Sequence, residues 1–283
     1  MVVGRRLTRV LVTGGSGMLG RELVRAFGDG FEVLAPRLEL TDRAAVVGGI
    51  TSLRPDAVVH AAAWTDVDGC EGDPDRAYAV NALGTRHVAD GARRAGAHVV
   101  AVSTDYVFDG TKDDPYAEWD ATNPRSVYGR SKLAAEHELD PGWATVRTSW
   151  LFAGHGRSFV RTILEKGAAA QELRVVDDQH GCPTGAADLA RVLRLVSSER
   201  LPGTFHVTNQ GATTWFDLAR DVLALAGLDA GRVAPISSAE LARPAPRPAN
   251  SVLDNAALRL SGVPLLPHHH EPLERAVKEL VSS

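Results

Sequence analysis

A tyrosine and a lysine stand four residues apart in Tyr128-Gly129-Arg130-Ser131-Lys132. On a helix that spacing puts both side chains on one face, roughly 5–6 Å apart at Cβ. An ammonium beside a phenol favours phenolate and so lowers the phenol's pKa. Such a tyrosine can hand a proton to a carbonyl oxygen, or take one back, near neutral pH. The pair alone says little, because a surface lysine beside a partly buried ring has the same spacing. A second motif in the same half-chain gives it meaning.

That motif is Thr13-Gly14-Gly15-Ser16-Gly17-Met18-Leu19-Gly20, which follows the apolar run Val10-Leu11-Val12 and precedes a helical pattern. Glycines at 14, 17 and 20 suit a tight turn, close approach of backbone to a pyrophosphate, and close packing of helix on strand. The helix start would face the phosphates with free N–H groups. Ser103 and Thr104 close another strand pattern and lead into Asp105-Tyr106-Val107-Phe108. A hydroxyl there could join the Tyr128 phenol on a ketone oxygen and stabilise the alkoxide that forms as hydride arrives. Capping of a turn is the plainer role for Thr104. The small residues Ala61, Ala62 and Ala63 follow His60, where they would let a flat cofactor lie against the backbone or simply serve helix–sheet packing.

These residues need elements to hold them. Strand patterns fall at Val10–Thr13, Glu32–Ala35, Ala57–His60, His98–Ser103 and Ala144–Thr148, with helix patterns at Met18–Phe27, Arg43–Leu53, Asp73–Ala95 and Tyr128–Glu138. Strict alternation predicts an α/β fold, a doubly wound parallel (Rossmann) sheet with ligands beyond the carboxyl ends of its strands. After residue 150 the rhythm loosens. A helix over Ala186–Val196, a strand over Thr204–Val207 returning to the sheet, and a helix over Thr214–Ala226 are expected. The division that follows is a nucleotide-binding domain over 1–150, rejoined by 185–210, and a smaller C-terminal substrate-binding domain over 151–184 and 211–283. The proline-rich Arg243–Pro248 stretch is read as an ordered loop over a site.

The chain has 283 residues, 44% of them hydrophobic, with a net charge of −4 and dispersed basic residues. That is enough for a sizeable core and gives no nucleic-acid footprint. No apolar run reaches the roughly 18–20 residues of a membrane span. Met1–Arg9 lacks the apolar centre of a secretory leader, and two cysteines, Cys70 and Cys182, form no disulfide framework, so a cytoplasmic protein is expected. His268, His269 and His270 raise a metal, but adjacent histidines cannot all face one ion without special geometry. A solvated loop and no metal are expected there.

With these residues in view, the chain resembles the extended short-chain dehydrogenase/reductase superfamily and, within it, the dTDP-4-dehydrorhamnose reductases. The matching segments are Thr13–Gly20, Leu40–Asp42, His60–Asp68, Asn81–Thr85, Ser103–Gly110, Tyr128–Lys132, Arg147–Trp150, Asp178–Thr184 and Arg247–Ser251, in the family's order. The resemblance implies reduction of the C4 ketone of a dTDP-linked 4-keto-6-deoxyhexose with NADPH, or NADH. Tyr128 would be the proton donor, Lys132 would lower its pKa and hold the nicotinamide ribose, and Thr104 would orient the sugar carbonyl. Gly14, Ser16, Gly17, Met18, Leu19, Arg37, Glu39, Leu40, Ala61, Ala62, Ala63 and Ser103, with Tyr128 and Lys132, would contact the cofactor. Thr65, Val67, Thr104, Asp105, Phe108 and Trp150 would line the sugar pocket, Arg247 would face the diphosphate, and Asn81 would sit near the active site. Trp64 stands where many relatives carry tyrosine or histidine.

Metal-linked dimers occur among relatives, but no acidic pattern here carries a metal over, which leaves a plain homodimer to consider. Two other functions remain open at this level. One is a non-catalytic, NADP-binding regulatory subunit like that of methionine adenosyltransferase, against which the retention of Thr104, Tyr128 and Lys132 argues. The other is a nucleotide-sugar epimerase or dehydratase. No glutamate follows Asp105, which argues against dehydration. For the cofactor, Arg37 after the second strand suits a 2′-phosphate, whereas Glu39 nearby could hold a ribose hydroxyl.

Overall fold

The computed structural model describes residues 9–28, 30–169 and 172–282. The leader question posed by Met1–Arg9 lies, apart from Arg9, outside them. Six strands form the central sheet: β1 (Arg9–Thr13), β2 (Glu32–Leu34), β3 (Ala57–His60), β4 (His98–Thr104), β5 (Ala144–Thr148) and β6 (Gly203–His206). Their spatial order is β2-β1-β3-β4-β5-β6, and every pairing is parallel. The strand expected near Thr204 does return, as β6 beside β5.

Alternate residues of a strand point to opposite faces, and both faces here are covered. Val10, Val12, Val59 and Val100 pack with helices α1 (Met18–Phe27) and α6 (Ala186–Ser198). Leu11, Val58 and Val99 pack with α2 (Arg43–Leu53) and α3 (Gly84–Ala95) on the other side. The strand order reverses between β1 and β3, the place where such sheets open a crevice for ligands.

A separate apolar cluster gathers Phe152, Val160, Leu218, Leu223 and Leu273. It joins α5 (Phe159–Ala168), α7 (Trp215–Leu225) and α8 (His270–Val281) to a two-stranded parallel ladder of Leu173–Val176 with Val233–Ile236. Among the described residues no helix is long and apolar enough to cross a membrane.

Three elements depart from expectation. The helix read over Asp73–Ala95 is broken into Pro74–Ala77, a π-helical stretch Tyr78–Leu83, and α3. Asp73 caps the first piece by accepting from the Arg76 amide, and the wider π turn carries the buried Asn81. The helix α4 (Val127–Glu136) begins one residue earlier than its pattern, because Ser126 accepts from the Gly129 amide and caps it. The edge strand β2 stops at Leu34.

The 243–248 stretch has neither helix nor strand, yet it is tied down. The Ala245 amide donates to Asp68 Oδ1, and beyond it the His180 amide donates to Ala249 O.

Candidate active site

The turn after β1 is built for close approach. Gly17 N donates to Gly14 O at 2.9 Å. A Cβ on Gly20 would lie 2.1 Å from Gly14 O, so helix α1 can start this close to β1 only with glycine there. A Cβ on Gly14 would come within 3.0 Å of the Ala62 backbone, so the turns after β1 and β3 nearly touch across the crevice. No side chain caps α1, leaving its first amides free. Ser16 and Gly17 are exposed at this rim. These are features a dinucleotide pyrophosphate fits, and the residues present therefore suit such a cofactor.

The rest of the expected cofactor set divides. Arg37 is exposed beyond β2, while Glu39 Oε1 already accepts from Thr41 Oγ1 at 2.9 Å. The Leu19 and Leu40 side chains are buried in the core, so only their backbones could face a ligand. Ser103 turns away from any ketone: its hydroxyl donates to Glu136 Oε1 at 2.5 Å. Ser103 and Thr104 are consecutive on β4 and so point to opposite sides.

A buried chain of hydrogen bonds braces the floor. His60 Nδ1 lies 2.7 Å from Thr13 Oγ1, and His60 Nε2 lies 3.0 Å from Thr85 Oγ1, which donates to Asn81 O. Burial holds the His60 pKa down at about 3, so the ring is neutral. Asn81 Oδ1 accepts from the Trp64 amide, and its Nδ2 donates to Trp64 O and Ser131 Oγ. Asn81 thus ties the 60–68 segment to α4 and positions it.

Tyr128 and Lys132 lie on α4, both buried. Lys132 Nζ donates to Val102 O at 2.8 Å. Burial lowers its pKa to about 8, with Glu136 acting in the other direction. Burial also raises the Tyr128 pKa, against the smaller lowering effect of Thr104. The expectation of a depressed phenol is therefore corrected. Desolvation dominates, and the phenol holds its proton in this state. Thr104 Oγ1 donates a hydrogen bond to Asp105 Oδ1 at 2.9 Å. Burial pushes the Asp105 carboxyl up to about 6.

Tyr128 and Thr104 open into a cavity of about 280 Å³ that Thr65, Val67, Asp105 and Trp150 also line. Six of the residues expected around the sugar or the ketone are thus brought together. Phe108 is not one of them. It is 1% exposed and stacks on Tyr116 with ring centroids 4.2 Å apart, so it belongs to the core. Trp64 lies under the Arg76 guanidinium, 4.3 Å from its ring centre, and outside the cavity lining.

Sequence reasoning missed Tyr106, Phe159 and Trp215, which line this cavity and a neighbouring one of about 410 Å³. Trp215 stacks on Trp150, centroids 3.6 Å apart and planes within 9°. A lone tryptophan opening an ordinary amphipathic helix carries no motif that would have marked it. Arg243 and Arg247 line the larger cavity. Arg247 Nη1 is 2.5 Å from Asp68 Oδ1, and that guanidinium holds the Asp68 carboxyl below its usual range.

With this geometry established, comparison with known proteins is direct. The chain is 43% identical to the dTDP-4-dehydrorhamnose reductase of Streptomyces griseus, over 96% of its own length and 94% of the relative's. It is 39% identical to the dTDP-4-keto-6-deoxy-D-glucose reductase of Streptomyces niveus, over 95% and 96% respectively. The crystal structure of the Bacillus anthracis dTDP-4-dehydrorhamnose reductase in complex with NADP superposes with a TM-score of 0.93 at 36% identity, over 96% of this chain and 99% of that one. The family model described as RmlD substrate binding domain matches residues 8–282, and the chain belongs to that family.

Proposed function

We propose that the chain reduces the C4 ketone of a dTDP-linked 4-keto-6-deoxyhexose with NADPH, the product being dTDP-L-rhamnose or a related deoxysugar. The observation that carries this reading is the convergence of a protonated, buried Tyr128 with Thr104 and Trp150 on one cavity at the carboxyl end of the sheet. The relatives named above act on dTDP-linked sugars, and one holds NADP.

When bound, reduced nicotinamide supplies the hydride to C4. The chain's own residues supply the rest. Tyr128 Oη donates a hydrogen bond to the ketone oxygen and gives up its proton as the alkoxide forms. Thr104 already donates its hydrogen bond to Asp105, so Tyr128 is the free donor and Thr104 positions it. Lys132, with its pKa near 8, stands one helical turn away and can restore the phenol's proton. The arginines of the 243–248 loop meet the diphosphate, for which a guanidinium offers paired donors.

On this reading residues 1–150 with 185–210 hold the cofactor, and 151–184 with 211–283 hold the sugar nucleotide. Cys70 and Cys182, both free and buried, suit a reducing cytoplasm. The test is NADPH oxidation with a dTDP-4-keto-6-deoxyhexose, with the product identified by NMR. Tyr128→Phe should lower kcat by about 10²–10⁴-fold with cofactor affinity kept. Full turnover in that variant removes Tyr128 from the chemistry, and absence of oxidation with any such sugar overturns the function.

A further inference from the structure

The three consecutive histidines do not form the solvated loop expected from the sequence. His268 pairs with Gln210 in an isolated parallel bridge, His269 is the residue before α8, and His270 opens that helix. Only His270 lies within the helix, so the usual fan of side chains around a helix does not apply to all three. The rings fold back on one another, with centroids 4.4, 4.7 and 5.1 Å apart. Each residue offers a ring nitrogen within 4.8 Å of the others.

The hydrogen bonds decide which nitrogens are free. His269 is 2% exposed, and its Nδ1 lies 2.9 Å from Gly211 O, a carbonyl that can only accept. Nδ1 therefore carries the proton, and Nε2 is left with its lone pair. That Nε2 is buried and has no hydrogen-bond partner. His270 Nε2 lies 3.0 Å from Asp221 Oδ2 on α7, which leaves its Nδ1 as the lone-pair nitrogen. A carboxylate on the far nitrogen is the arrangement that orients and strengthens a metal-binding imidazole. His268 is exposed, and its ring has one weak bond among the described residues, 3.4 Å from the His270 amide to Nδ1. Its ring rests on Gly211, where a Cβ would come within 2.2 Å of His268 Nε2.

We propose that His268, His269 and His270 form a binding site for a divalent transition-metal ion of the zinc class, with water closing the coordination. Three imidazoles suit zinc, copper or nickel and disfavour magnesium or calcium, which take oxygen ligands. The positive end of the α8 dipole opposes a cation, and Asp221 together with Glu271 in the first turn offsets it. Such an ion would fasten the start of α8 to the 210–211 turn and to α7. That helix carries Trp215 in the cavity wall, so the site's role is a structural staple beside the sugar pocket, independent of which sugar is reduced.

The experiment uses the full, tag-free chain, stripped with a chelator and dialysed. It is titrated with ZnCl₂ by calorimetry, and with CoCl₂ followed by visible absorption. One zinc per chain, a tetrahedral cobalt spectrum and a zinc-dependent rise in Tm are expected. The double variant His268→Gln/His270→Gln changes two exposed residues, and NADPH binding checks that it is folded. It should lose well over the roughly 10–100-fold that removal of an outer-sphere partner costs, and Asp221→Asn should lose about that amount. Absence of stoichiometric zinc binding, or affinity unchanged in the double variant, overturns the proposal.

Discussion

Gly181→Ala should damage sugar turnover while leaving the cofactor alone. A Cβ on Gly181 would lie 2.3 Å from Trp150 Cε2 and 2.6 Å from its Cζ2 and Nε1. Carbon atoms in contact sit about 3.5–4.0 Å apart, so the indole must retreat by about 1 Å or more. It has little freedom to do so. Trp150 has φ +46°, an unfavourable region for a bulky residue, and its ring is stacked on Trp215. The backbone of Gly181 is not itself in the positive-φ region, so alanine is not excluded on conformational grounds. Trp150 shares the cavity wall with Tyr128 and Thr104. A misplacement near 1 Å in a catalytic site can cost about 10²-fold, which corresponds to about 2.7 kcal/mol of transition-state stabilisation. The expected result is therefore a fall of about two orders of magnitude in kcat/KM for the keto sugar. The NADPH dissociation constant should stay within about twofold, because the Gly14–Gly20 turn belongs to other elements. Steady-state kinetics, a fluorescence titration with NADPH and the tryptophan emission spectrum together read the three quantities. If the emission shows a displaced indole while kcat/KM is unchanged, Trp150 does not position the sugar and the cavity has been assigned to the wrong ligand.

Arg37→Ala should erase most of a preference for NADPH over NADH, since Glu39 is already engaged by Thr41; equal kcat/KM for the two cofactors in the native chain would count against Arg37. Arg247→Ala should weaken dTDP binding by roughly 10–100-fold, from charge-assisted bonds of about 1.5–3 kcal/mol. The same calorimetry on Asp68→Asn tests whether the ion pair merely holds the loop, in which case both variants lose affinity equally. Stability should fall as pH drops below 6.5. His60 and His206 are held down at about 3 by burial, so the unfolded chain binds the extra protons, and the stability present above 6.5 is lost on the way to 3. Asp105, raised to about 6, opposes this between 6 and 3.8; urea unfolding at pH 7 and pH 5 should still show the loss, and equal free energies would contradict it.

The sheet was legible because parallel strands buried on both faces tend to be continuously apolar, as Val10–Val12 and Val99–Val102 are. The same periodicity could not reveal the π turn at Tyr78–Leu83. Its single extra residue leaves the apolar pattern nearly intact, and only the inward amide of Asn81 betrays it. The reading of Phe108 failed for a related reason. It lies in a motif whose neighbours Asp105 and Tyr106 do line the cavity, but a short 3-10 turn over Asp105–Val107 sends its ring into the core against Tyr116. Trp215 and Phe159 escaped because they reach the cavity from helices packed in a different apolar cluster. Their place in the site depends on how two parts of the chain meet, which no local pattern encodes.

The tyrosine–lysine pair shows where spacing stops being informative. Four residues on a helix do put both groups on one face, and both lie on α4 as the spacing requires. Spacing says nothing of the medium around them, and the medium decides the charge. In water an ammonium would stabilise phenolate. Here both groups are buried, and burial disfavours every charged form, lowering the lysine and raising the tyrosine together. The lysine's remaining charge is spent first on the Val102 carbonyl. What results is a neutral phenol beside an amine that titrates near 8. For a reductase this is the useful state, because the alkoxide left by hydride addition needs a proton that is already in place. The phenolate formed afterwards then has a donor one helical turn away whose pKa lies within reach of physiological pH.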